Sequence, residues 1–137
     1  MSLLLVNIDV PDLDNATRFY TEAFGLRVGR RFDDNFIELV GLPSPIFLLA
    51  KKEGSAPFSG ANIKRDFSRH WSPIHLDLVV DNLDSAILRA LAAGAAQETE
   101  IRAEKWGRMA TFSDPFGNGF CIIQFLNRGY DEIASHQ

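Results

Sequence analysis

His75, Asp77 and Cys121 carry the side chains of this sequence best suited to chemistry. An imidazole titrates near neutral pH and can serve as acid, base or metal ligand. His75 and Asp77 sit two residues apart in IHLDLVV, an alternating segment from Ile74 to Val80. Strand periodicity puts His75, Asp77 and Val79 on one face and Leu76, Leu78 and Val80 on the other. Asp77 is then placed to orient His75, the natural acid/base candidate. A lone strand histidine also serves as a hydrogen-bonded structural residue, so the pairing with Asp77 is what singles it out. Cys121 is the only cysteine. One thiol excludes an internal disulfide and any zinc site built from several thiolates. The plainer reading of Cys121 is a small buried hydrophobe.

These residues belong to a unit that occurs twice. Residues 5–23 read LVNIDVPDLDNATRFYTEA and residues 75–93 read HLDLVVDNLDSAILRALAA. Val10/Val80, Leu13/Leu83, Asp14/Asp84, Ala16/Ala86 and Ala23/Ala93 are identical at an offset of 70. Two copies of one structural unit follow, with Asn7 and Asp9 on the strand face equivalent to that of Asp77. In each copy an alternating strand precedes a capping Asp or Asn, an apolar stripe at helical spacing and a glycine stop at Gly25 or Gly94. Strands then fit Val28–Phe32, Phe36–Val40 and Ile46–Lys51 in the first copy. In the second they fit Gln97–Arg102, Arg108–Phe112 and Phe120–Phe125, the last two joined by the turn DPFGN. The expected fold is α+β, with two tandem βαβββ modules forming a curved, cupped mixed sheet and helices on its outer face. Module one spans about residues 3–53, a linker 54–73, module two about 74–126 and a polar tail 127–137, all in one domain.

At 137 residues the chain is large enough for one real core. Its net charge of −4 argues against nucleic acid or an anionic membrane as a main partner. The apolar run Leu3–Val6 is too short for a signal peptide or a span. The expected location is the cytoplasm.

The linker GSAPFSGANIKRDFSRHWSP is long for a compact domain. It reads as a plain connection with Phe67 and Trp71 tucked onto the core, or as a flap over a pocket. Trp106, in WGRMATF, offers a flat apolar wall to a ligand, and Arg108 beside it suits a carboxylate or phosphate. Arg108 also fits an ordinary exposed strand position, and Glu38 the surface. The tail is expected to lie on the surface or fray.

VPDLDNATRFYTEAFGL in the first half, with HLDLVVDNLDSAI and WGRMATFSDPFGNGF in the second, resembles the vicinal oxygen chelate superfamily. That group includes glyoxalase I, extradiol dioxygenases, fosfomycin-resistance enzymes and bleomycin-resistance proteins. The resemblance covers about Leu4 to Phe125. It implies the paired-module fold and, by family habit, a homodimer. It does not name a reaction.

In metal-using members, each module supplies one ligand from its first strand and one from its last. The resemblance carries these positions onto Leu5, Leu48, His75 and Cys121. Leucine has no lone pair, so a complete four-donor metal site and a cofactor are not expected, although a divalent metal remains possible. The site expected instead is a pocket for a small, partly apolar or aromatic molecule, lined by Asn7, Leu48, His75, Asp77, Trp106, Arg108 and Cys121. The alternative is a superfamily lyase, isomerase or dioxygenase with a rearranged metal site, or with His75 as its acid/base. A cup filled by its own side chains, in a protein whose role is association, is a third reading.

Overall fold

The computed structural model describes residues 1–135. Its first module runs β1 (Val6–Val10), α1 (Leu13–Phe24), β2 (Arg27–Phe32), β3 (Phe36–Val40) and β4 (Ile46–Ala50). The second runs β5 (Leu76–Val79), α2 (Leu83–Ala93), β6 (Ala96–Gln97), β7 (Arg102–Glu104), β8 (Gly107–Ser113) and β9 (Gly119–Phe125), followed by a 3₁₀ turn at Gly129–Glu132.

The same local chemistry starts and stops both helices. Asp12 caps α1 by accepting from the backbone N–H of Asn15 at 3.0 Å, and Asn82 caps α2 by accepting from that of Ser85 at 3.0 Å. Gly25 and Gly94 end them in the left-handed region that β-carbon-bearing residues avoid. Ala16, Phe19, Tyr20, Ala23 and Phe24 form the buried stripe of α1; Leu83, Ala86, Ile87 and Ala90 form that of α2.

Each module closes its sheet in the same way, with its last strand pairing parallel to its first. The order is β1-β4-β3-β2 in one sheet and β5-β9-β8-β6 in the other, where β7 also pairs with β8. The architecture is therefore α+β, two open mixed sheets with the helices packed on one face of each. Val10, Ile37, Leu39, Ile46 and Leu48 of the first sheet share one core with Leu78, Ala110, Phe112, Phe120 and Ile122 of the second. Phe19 and Phe24 of α1 reach Phe120 across the module boundary, with ring centroids 6.3 and 5.2 Å apart.

A buried polar knot joins the modules. Asp114 of the DPFGN turn accepts from the backbone N–H groups of Phe116 and Asn118 at 2.8 and 2.9 Å, from the Asn118 side chain, and from the Tyr20 hydroxyl of α1. The burial of Tyr20, and then the carboxylate beside it, raise its phenol well above the ordinary value.

The linker is tied to both modules. Arg65 pairs with Asp9 at 2.9 Å, Arg69 pairs with Glu98 at 2.6 Å, and the His70 N–H donates to the carbonyl of Gly117 at 3.1 Å. Phe67 packs on the core, but Trp71 is 83% exposed and covers nothing. The tail lies largely on the surface, as expected. Its 3₁₀ turn folds back on Trp106, and Glu132 pairs with Arg128 at 2.8 Å. No helix among the described residues is long and apolar enough to cross a membrane.

Candidate functional site

The strand expected over Gln97–Arg102 is broken in two. Four residues lie between Gln97 and Arg102, but only two lie between their partners Phe112 and Met109. The excess chain bulges out over residues 98–101. Thr99 then supplies its hydroxyl to the backbone N–H of Thr111 at 2.9 Å, replacing a lost ladder bond. A groove of about 370 Å³ lies along this bulge, lined by Thr99, Glu100, Ile101, Arg102, Met109 and Thr111.

Alternation along β8 and β9 separates the two faces of the second sheet. Arg108, Ala110 and Phe112 turn toward the helices with Phe120 and Ile122. Met109 and Thr111 turn the other way with Cys121. Asp77 lies directly across from Cys121 in the parallel β5–β9 pair, and Thr111 across from it in the β8–β9 pair. His75 lies just before β5, with Nε2 3.2 Å from Asp77 Oδ1. The Thr111 hydroxyl is 3.6 Å from Cys121 Sγ. His75, Asp77 and Cys121 each present a donor atom within 4.8 Å of the others.

The electrostatics of this cluster follow from its position at the edge of the core. Burial pushes the Cys121 thiol up and Asp77 adds to the rise, while the Thr111 hydrogen bond and the positive charge of Arg102 act against them. His75 and Asp77 remain more open, with 58% and 37% of their side-chain surfaces exposed.

None of the seven residues expected in the pocket lines the groove, and Leu48, Trp106 and Arg108 also stand away from the His75–Asp77–Cys121 cluster. Leu48 is fully buried in the helix-facing core, opposite Ile8 and Ile37. The residues of β4 on the opposite face are Phe47, itself buried, and Leu49; Phe47 is paired with Asn7 as Cys121 is paired with Asp77. The ligand position carried over to module one was thus displaced by one residue, which in a strand reverses the face. Trp106 is buried, its ring 5.0 Å from that of Tyr130 and 6.4 Å from that of Phe125, so the tail covers it. Arg108 turns to α2 and pairs with Asp84 at 3.1 Å, which lowers the Asp84 carboxyl.

Asn7 is exposed on the open face of the first sheet, and no hydrogen bond or ion pair among the described residues joins it to His75, Asp77 or Cys121. Glu38, expected at the surface, is largely covered on that same face. It takes the Arg30 guanidinium at 2.8 Å and its backbone N–H at 3.0 Å, and those hydrogen bonds hold its carboxyl below the ordinary range. Thr111, Met109 and Arg102 were not anticipated. Alternation in RMATFS was the signal available for the first two, since it places them opposite Arg108, Ala110 and Phe112.

Leu5 is the first-strand counterpart of His75, and Phe47 is now the last-strand counterpart of Cys121. Neither offers a lone pair, so the residues present do not fit a four-donor cage shared between modules.

Paired modules with parallel first and last strands, their helices on one face and donors from those strands on the other, define the vicinal oxygen chelate class of folds. The chain belongs to the glyoxalase-like domain family, which it matches over residues 5–123. It is 28% identical over 130 residues to an uncharacterized protein of Mycobacterium bovis, covering 92% of this chain and 86% of that protein. Among solved structures it is similar to a glyoxalase/bleomycin resistance protein/dioxygenase family enzyme from Burkholderia phytofirmans. The TM-score is 0.73 at 24% identity, over 92% of this chain and all (100%) of that one. The fosfomycin resistance protein FosX from Listeria monocytogenes aligns with a TM-score of 0.68 at 16% identity, over 90% of this chain and 93% of its own. At these identities the structural neighbours establish the fold.

Proposed function

We propose that this chain binds a small, partly apolar organic molecule on the open face of its second sheet, without the four-donor metal cage of its superfamily. The observation that carries this reading is the groove at the 98–101 bulge. At about 370 Å³ it falls within the size range of small-molecule sites. Met109 and Ile101 give it apolar walls, and Arg102 gives it a cation suited to an anionic substituent. Phe47 and Leu5 at the module-one ligand positions support the metal-free part of the reading. The reading includes a homodimer: β1 and β5 are edge strands of open sheets, a geometry that invites a second copy.

The test is a thermal-shift panel of planar aromatic compounds, fosfomycin and bleomycin-type glycopeptides, a set suggested by the names of the structural neighbours. A binder raises the melting temperature, and Met109→Ala and Arg102→Ala blunt the rise. No shift across the panel, or a shift indifferent to both variants, overturns the reading.

A second reading is favoured by one observation, the contact of His75 Nε2 with Asp77 Oδ1 at 3.2 Å. A carboxylate-oriented imidazole suits general acid/base chemistry. Turnover of a bound compound that is lost in His75→Ala, with binding retained, separates an enzyme from a binder.

A further inference from the structure

We propose that Arg69 of the linker is a positioning residue for the groove. It holds Glu98, and through Glu98 the bulge at residues 98–101, so that linker and groove form one coupled unit. The coupling stands on the contacts of the linker alone. Its effect on ligand affinity rests on the groove being the ligand site.

The linker presents Arg69 from a seated backbone. Phe67 packs on the core, Asp66 Oδ1 accepts from the Ser68 N–H at 2.8 Å, and the His70 N–H donates to the Gly117 carbonyl at 3.1 Å. Arg69 is thus fixed through the residues on both sides of it. Its guanidinium lies over Gly119, where a β-carbon would come within 2.6 Å of Nη2. Gly119 shares the face of Cys121 by alternation, so the cation enters on the open face of the second sheet. Nη1 donates to the His70 carbonyl. Nε and Nη2 donate to the two carboxylate oxygens of Glu98 at 2.6 and 3.0 Å. This two-pronged geometry fixes direction as well as distance.

The bulge has few other anchors. Apart from Arg69, its hydrogen bonds among the described residues run to β6 and β8. The Glu98 and Thr99 N–H groups donate to the Thr111 carbonyl at 2.8 and 3.4 Å, the Thr99 hydroxyl accepts from the Thr111 N–H at 2.9 Å, and the Gln97 side chain donates to the Thr99 carbonyl at 2.9 Å. Thr99 lines the groove and follows Glu98 directly. Glu100 and Ile101, also in its wall, lie between Thr99 and the next pairing at Arg102–Met109. A partly exposed ion pair shifts a local equilibrium by about two- to fivefold. That is small against the stability of the whole domain, yet it matters in a segment held by so few bonds.

The test measures amide hydrogen exchange in the ligand-free full chain. Arg69→Ala speeds exchange at Thr99 and Thr111 by about two- to fivefold and leaves the β5–β9 amides unchanged. Gly119→Ala fills the slot under the guanidinium and produces the same local change with Arg69 present. Read at Thr111, Arg69→Ala combined with Glu98→Ala adds nothing to either alone, since both break one contact. Uniformly faster exchange, no change at the bulge, or additive effects overturn the positioning role. The apolar anion 8-anilinonaphthalene-1-sulfonate then reads the groove by fluorescence titration. Its Kd rises about two- to fivefold in Arg69→Ala, and by linkage its binding slows proteolysis within residues 54–73. A faster bulge with an unaltered Kd overturns the effect on affinity. A Kd indifferent to Met109→Ala marks the failure of the groove reading instead, and the exchange result decides the positioning role in either case.

Discussion

Asp77 faces Cys121 across the β5–β9 pair, and Asn7 faces Phe47 at the same register of the β1–β4 pair. Two copies of one unit have thus diverged at one cross-strand position. Module two carries an acid and a thiol there, and module one an amide and an aromatic ring. The His75–Asp77–Cys121 cluster accordingly has no counterpart at these positions of the first sheet.

Burial and that pairing together set the reactivity of the thiol. Burial, reinforced by the Asp77 charge, raises the Cys121 thiol, so less of it is thiolate at neutral pH. Alkylation by iodoacetamide should be slower at pH 7 than for a free cysteine and should accelerate at higher pH. Asp77→Asn removes the charge contribution and should move the rate profile to lower pH. An unmoved profile would show that burial alone governs the thiol.

Leu48 and Phe47 serve opposite faces of β4, and both are buried. Leu48→Ala opens a cavity in the helix-facing core and should cost about 2–5 kcal/mol in a urea melt. Phe47→Ala acts on the other face beside Phe36, whose ring centroid is 6.1 Å away, and should cost about 3–5 kcal/mol. A negligible loss in either variant would contradict the register described for β4.

Tyr20→Phe should weaken the seam between the modules. It takes one donor from the buried carboxylate of Asp114, at a cost of about 1–3 kcal/mol. The raised phenol of Tyr20 also predicts that its tyrosinate absorbance appears only with alkaline unfolding. A spectrophotometric titration of the unaltered protein and the variant checks both points.

Gly117 is a contact point for the linker. A β-carbon there would lie 2.1 Å from the carbonyl oxygen of Ser68, at a φ of +90°. Gly117→Ala should therefore destabilise the fold more than Gly25→Ala, where a β-carbon meets open space. It should also speed proteolytic cleavage within residues 54–73. Matching stabilities of the two variants would argue against a docked linker.

Acid should loosen the molecule through its paired carboxylates. Hydrogen bonds from Arg30, Arg69 and Arg108 lower the carboxyls of Glu38, Glu98 and Asp84 respectively. A lowered folded-state value means that the stability they contribute is present above the unfolded range, near pH 4, and is lost as pH falls through the folded values. Urea midpoints should hold from pH 7 to 5 and drop below about pH 4. Arg108→Ala should reduce the drop by the share due to Asp84.

The repeat, both helix caps, both glycine stops and the DPFGN turn were legible because each rests on local chemistry at fixed spacing. The faces of β5 were legible for the same reason, since alternation needs no knowledge of partners. His75 and Asp77 were accordingly placed together from the sequence. Tertiary structure decided everything that depends on register and covering. It assigned Phe47 rather than Leu48 to the open face, because the apolar run IFLLA shows no alternation to distinguish its two sides. It buried Trp106 under Tyr130, a contact between distant segments. It drew Arg108 to Asp84 across helix and sheet. The bulge at residues 98–101 that forms the groove arises only when β6 and β7 pair with β8 at different registers. Sequence thus determined which groups could react; the pairing of strands decided which of them meet, because hydrogen-bond register fixes side-chain neighbours that no local pattern specifies.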